Sequence, residues 1–178
     1  MQSKKTTIFV LLVVVVLIIV IGSAISLSNH PAPATTSIPS YLRLISGFNL
    51  VGSSALNSSS APASLASGLL SGYLNTYSNS TNALLLIRSA NYASNTDAQS
   101  AYSYIINYTS VSNTTAIGNL TTSERGMITA FNNSLIYSIT SINNTNVITA
   151  TMVLGTGSYN SSEITRTLKI AINETRQQ

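Results

Sequence analysis

The chain predicts an α+β fold: an antiparallel sheet with helices packed on one face, set behind an N-terminal transmembrane helix. Three observations lead there. Residues 8–21 form an unbroken apolar run behind Lys4 and Lys5. Residues 127–131, 135–142 and 147–154 are three β-rich segments, separated by Asn132-Asn133 and by the Asn143-Asn144-Thr145-Asn146 turn; asparagine tolerates the backbone angles of tight turns. Residues 98–106 and 162–176 carry apolar side chains at helical spacing.

Residues 1–7 are a short basic segment. The apolar run alone, at 1.5 Å per helical residue, covers roughly 21 Å. Continuing through the small residues of 22–27 brings it to about 30 Å, the thickness of a bilayer core. Lys4 and Lys5 precede the run and the next basic residue is Arg43, so the positive-inside rule places the N-terminus in the cytoplasm and the rest outside. The same features describe a cleavable secretory signal, with Gly22-Ser23-Ala24 as a cleavage region. They also describe a pilin-type signal cut near Lys5. Residues 28–40, with three prolines among small polar residues, read as an extended linker.

Residues 41–178 form the extracytoplasmic domain. Residues 41–51 read as an opening strand bent at Gly47, and 53–60 as a loop. Residues 61–77 place Leu65, Leu69, Leu70, Tyr73 and Leu74 at helical spacing, although Gly68 and Gly72 each cost about 1 kcal/mol there. Residues 83–90 are a buried strand. Next, Ser94 or Asn95 caps a helix, Asp97 suits its positive end, and Ala98, Ala101, Tyr102, Ile105 and Ile106 share one face. In 147–154, Ile148, Ala150, Met152 and Leu154 face the helices. Val147, Thr149, Thr151 and Val153 face a wetter side. The last helix turns Ile164, Leu168, Ala171 and Ile172 inward, and Glu163, Arg166, Lys169, Asn173 and Arg176 toward water.

Charge is sparse. Charged residues are 7% of the chain, against about 25% in an ordinary globular protein. The domain carries six basic and four acidic side chains, scattered singly. No basic stripe forms, which argues against nucleic-acid binding. Cysteine is absent, so no disulfide, thiolate metal site or cysteine nucleophile exists.

Catalysis is not expected. The lone histidine, His30, lies in the linker, where no rigid base–nucleophile pair forms. Asp97, Glu124, Glu163 and Glu174 stand apart; Glu124 and Glu163 are the distant acids a serine-dependent hydrolase would need. Neither a metal site nor a phosphate loop is present in the pattern: Gly155-x-Gly157 lacks a third glycine and a lysine. No cofactor is expected.

The recurrent motif is Asn-x-Ser/Thr, found at Asn57, Asn79, Asn107, Asn113, Asn119, Asn132, Asn143, Asn160 and Asn173. All nine lie beyond the apolar run, as glycan acceptors on an exported domain should. Asn160 competes for a second role, because Asn160-Ser-Ser-Glu163 has the spacing of a capping box. Tyr73, Tyr77, Tyr92, Tyr102, Tyr104 and Tyr108 crowd the middle third, as core edge or as a binding surface.

Taken together, the apolar anchor, the proline linker and the cysteine-free head rich in Asn, Ser, Thr and Tyr resemble the exported surface glycoproteins of thermoacidophilic archaea. The resemblance is one of style. It implies a hot, acidic exterior, an archaeal envelope and N-linked glycans, and assigns no activity. The expected protein is a single-pass, membrane-tethered surface glycoprotein. Its partners are the lipid bilayer, its glycans and other envelope or membrane proteins. A pilin-like filament subunit and a hydrolase are the alternatives.

Because hydroxyls and amides keep their hydrogen bonds when carboxylates protonate below about pH 4, thermal melts at pH 3 and pH 7 should give similar midpoints. A large drop at pH 3 refutes the acid-exterior reading.

Overall fold

The chain alternates strands and helices as β1 (Asn49–Leu56), α1 (Ala63–Ala66), β2 (Leu69–Ser78), β3 (Leu84–Tyr92), α2 (Asn95–Thr109), β4 (Thr114–Ala116), β5 (Glu124–Phe131), β6 (Ser134–Asn143), β7 (Asn146–Leu154) and α3 (Ser161–Thr175). The computed structural model describes residues 48–56, 58–59, 63–79, 83–109, 114–131, 134–155 and 159–177. The expected transmembrane helix (8–27) and linker (28–40) lie outside them. Among the described residues, no helix is long and apolar enough to cross a membrane.

All seven strands join one antiparallel sheet in the order β1-β2-β3-β7-β6-β5-β4. Two meanders, β1-β2-β3 and β4-β5-β6-β7, meet at the β3–β7 ladder, where Leu85 faces Met152 and Ile87 faces Ala150. The β6–β7 hairpin turns at Asn144-Thr145, and Asn144 takes a left-handed φ of 51°. Asparagine tolerates that conformation better than most residues.

The two long helices lie on opposite faces of the sheet. Ile164, Leu168, Ala171 and Ile172 of α3 pack with Leu85, Ile87, Ile139, Ile148 and Ala150. Ala98, Ala101, Tyr102 and Ile105 of α2 pack with Ala90, Tyr92 and Val147. Side chains alternate across a strand, so Ala90 and Ile87 point apart, as do Val147 and Ile148. The expectation of helices on one face is therefore corrected. The Ile148 row faces a helix as expected, but the row thought wet is half covered. Val147 is fully buried under α2, while Thr149, Thr151 and Val153 stay partly exposed.

The segment 61–77 also differs from expectation. One helical turn, α1, ends at Gly68 with φ 67°, and the rest is strand β2. Spacings of four, as at Leu69, Tyr73 and Tyr77, suit a helix face and an alternating strand equally. Gly72 decides for the strand. A Cβ there would lie 2.5 Å from the Ser89 carbonyl oxygen and 3.1 Å from the Ala90 Cα. The absent side chain lets β2 close on β3. Of the expected opening strand (41–51), residues 41–47 with the bend at Gly47 lie outside the described residues; strand runs over 49–56, so residues 53–56 are ladder rather than loop. Bulges interrupt β1 and β2, and the large apolar residues at them, Val51 and Leu70, are 59% and 69% exposed. The three-residue edge strand β4 is too short to show an alternating pattern.

The helix starts follow the sequence. Ser94 Oγ accepts the Asp97 amide (3.1 Å) and donates to Asp97 Oδ2 (2.6 Å). Asn160 Oδ1 accepts the amides of Ser162 and Glu163, capping α3.

Gly72→Ala should cost about 1–3 kcal/mol by overpacking against fixed backbone. Gly52→Ala, whose new Cβ would meet only Thr76 Cβ at 4.0 Å, should change stability by less than about 1 kcal/mol. Urea denaturation midpoints of the two variants test the contrast.

Candidate functional site

Sheet register assembles a polar row on the α2 face. Arg88 pairs with Thr149, Thr149 with Thr140, and Thr140 with Arg125, so four side chains from β3, β7, β6 and β5 stand side by side. At about 4.8 Å per strand, the arginine Cα atoms are about 14 Å apart. Thr140 and Thr149 share a hydroxyl hydrogen bond of 3.2 Å. In the next row, Ser138 and Thr151 share one of 3.0 Å. Arg125 is exposed, Arg88, Thr149, Ser138 and Thr151 are half-buried, and Thr140 is buried.

Two buried polar atoms on this face have no hydrogen-bond partner among the described residues: Arg88 Nη1 and the Tyr102 hydroxyl. Arg88 Nη2 donates to the Tyr92 hydroxyl (3.2 Å), which in turn donates to the Leu65 carbonyl (3.3 Å). Burial raises the Tyr102 phenol above its ordinary pKa; the Arg125 charge opposes the rise and the Glu124 charge adds to it.

The opposite face carries a self-contained polar cluster. Glu124 and Ser141 are cross-strand partners, 3% and 1% exposed. Arg176, just past α3, places Nη2 3.8 Å from Glu124 Oε1 and donates from the same nitrogen to Ser141 Oγ. The Thr121 amide donates to Glu124 Oε2 (3.2 Å). Two expectations are refined here. Arg176 is exposed as expected but also reaches back to the sheet, and Glu124 is a buried, paired carboxylate. The acid–serine juxtaposition a hydrolase would need does occur, but an arginine holds it and the last helix covers it. Glu163 lies exposed at the start of α3. His30 and Gly157 fall outside the described residues.

The sequon asparagines do not converge. Asn107 on α2, Asn119 in a bend, Asn143 at the end of β6, and Asn160 and Asn173 at the two ends of α3 are exposed. Asn79 is half-buried, and its Oδ1 accepts the Ala83 amide (2.9 Å). Asn57, Asn113 and Asn132 lie outside the described residues. The cap at Asn160 uses Oδ1, whereas a glycan would take Nδ2. Asn119, at φ 58°, lends its carbonyl to Lys169 Nζ at 3.4 Å. Lys169 is thereby half-buried rather than fully in water.

The molecule is thus an antiparallel seven-stranded sheet with a few helices, half open on one face. No known protein family matches the chain, and no curated protein does. Among solved structures it is similar to the extracellular domain of PknH from Mycobacterium tuberculosis, with a TM-score of 0.56, 8% identity, and coverage of 80% of this chain and 93% of that one. At that identity the similarity is one of fold.

Tyr102→Phe removes a buried hydroxyl that has no partner, so the unliganded protein should be unchanged or stabilised by up to about 1 kcal/mol. The pH dependence has a defined sign. A raised phenol pKa favours the neutral folded form, so this contribution is intact below about pH 10 and is lost as pH rises through the folded value. Urea titrations from pH 8 to 11 should show a shallower alkaline loss for Tyr102→Phe than for the parent. An identical loss would assign the alkaline instability to other groups.

Proposed function

We propose that the chain is a non-catalytic surface glycoprotein, held in the cell membrane by residues 8–27 with its N-terminus in the cytoplasm. Its head, residues 41–178, binds other envelope or membrane components through the α2 face. The observation that carries this reading is the half-open polar row Arg88–Thr149–Thr140–Arg125. Such a surface suits recognition: fixed hydroxyls and forked donors sit on a rigid sheet, and the charged side chains of the strand row are all cationic. The extracytoplasmic placement draws support from the sequence of the anchor and from a fold like that of the extracellular domain of PknH. Exposed sequons at Asn107, Asn119, Asn143, Asn160 and Asn173 agree with a glycosylated exterior. The style of the chain points to a thermoacidophilic archaeal envelope.

The test is purification from native membranes. Protease added to intact cells should remove the head, and glycopeptides should map to the exposed asparagines. Co-purifying proteins should be lost with Thr149→Arg, which fills the row, while the melting midpoint holds. A head that resists external protease, or partners indifferent to Thr149→Arg, overturns the reading.

A further inference from the structure

Arg88 is poorly compensated where it lies. Its guanidinium makes one hydrogen bond, to a neutral phenol, and keeps Nη1 buried with no acceptor. No carboxylate among the described residues comes within ion-pair distance of it. Asp97 is engaged by Ser94, Glu124 faces the other side of the sheet with Arg176, and Glu163 and Glu174 belong to α3. A guanidinium so placed has given up hydration and recovered little in exchange. Buried polar atoms without partners are uncommon in native proteins, and a missing ion is a standing physical explanation.

Turning outward would break one bond, to Tyr92, and relieve an orphaned donor. Thr149 is the cross-strand neighbour of Arg88, in a row that ends at exposed Arg125. Arginine presents paired N–H donors matched to carboxylate and phosphate oxygens.

We propose that the α2 face takes an oxyanionic group, a phosphate or a carboxylate, at Arg88. The guanidinium exchanges the Tyr92 hydroxyl for two oxygens of the ligand, and the Thr149 hydroxyl and Arg125 flank the remainder. This rests on the reading of the α2 face as a binding surface and names the chemistry it selects.

The test uses the full chain in neutral detergent, with labelled arginine side chains observed by NMR during titration with sodium phosphate, sodium acetate or sodium chloride. Phosphate or acetate should shift the Arg88 side-chain resonance saturably, and chloride should not. Arg88→Gln should weaken phosphate binding by about tenfold, as expected for a hydrogen bond to a charged group. Tyr92→Phe should tighten it severalfold, because the bond that competes for Arg88 is gone; a purely structural arginine predicts no such gain. Vesicles of phosphatidylglycerol in phosphatidylcholine identify a lipid headgroup as the source if they displace phosphate from Arg88. Phosphate that is not displaced identifies a soluble oxyanion. An Arg88 resonance that neither phosphate nor acetate moves overturns the proposal, as does unchanged binding in Arg88→Gln and Tyr92→Phe of parental melting temperature. If that happens while Thr149→Arg still removes native partners, the oxyanion falls and the binding face stands. If Thr149→Arg is also silent, both fall.

Discussion

Alternation along the two central strands governs the whole arrangement. In β3 and β7 each residue serves the opposite side from its neighbours, so one ladder supplies two floors. Ile87 and Ala150 lie under α3, and Ala90 and Val147 under α2. A slip of one residue in that pairing would exchange the floors and strand both helices. The apolar character of both sides of β3 (Leu84-Leu-Leu-Ile87) follows from this double duty.

The two helices use the sheet differently. The α3 helix follows β7 and covers the middle of its face with four buried side chains. The α2 helix connects β3 to β4 at the far edge of the sheet, and its cluster stops at Ala90 and Val147. What it leaves uncovered is polar by composition: Ser138, Thr149 and Thr151 are half-buried, and their hydroxyls and that of the buried Thr140 pair across strands. Hydroxyls paired across strands keep such a face compatible with water.

How much could be read beforehand depended on the range of the forces. Local signals were clear. The Ser94–Asp97 start, the Asn160 cap, the inward face of α3 and the strands β3, β6 and β7 all declared themselves in stretches of ten or so residues. The strand β2 was ambiguous because Leu69, Tyr73 and Tyr77 satisfy both periodicities, and the contact that decides it, Gly72 against Ser89, is made with another strand. The placement of α2 was hidden because Thr149 and Thr151 make their strand read as wet along its whole length. The polar row was least legible. Arg88, Thr140, Thr149 and Arg125 look unrelated in sequence, and three separate registers are needed to line them up. The orphaned Arg88 nitrogen has no local signature at all.

The sheet order has a consequence for how the molecule comes together. The partner strand of β3 arrives about seventy residues later at Leu84–Val153, after β4, β5 and β6. Until β7 arrives, β3 lies beside β2 with one greasy margin bare. An unpaired apolar strand margin invites pairing with a neighbouring chain. Folding copies therefore have a window of vulnerability that closes when β7 zips into the gap.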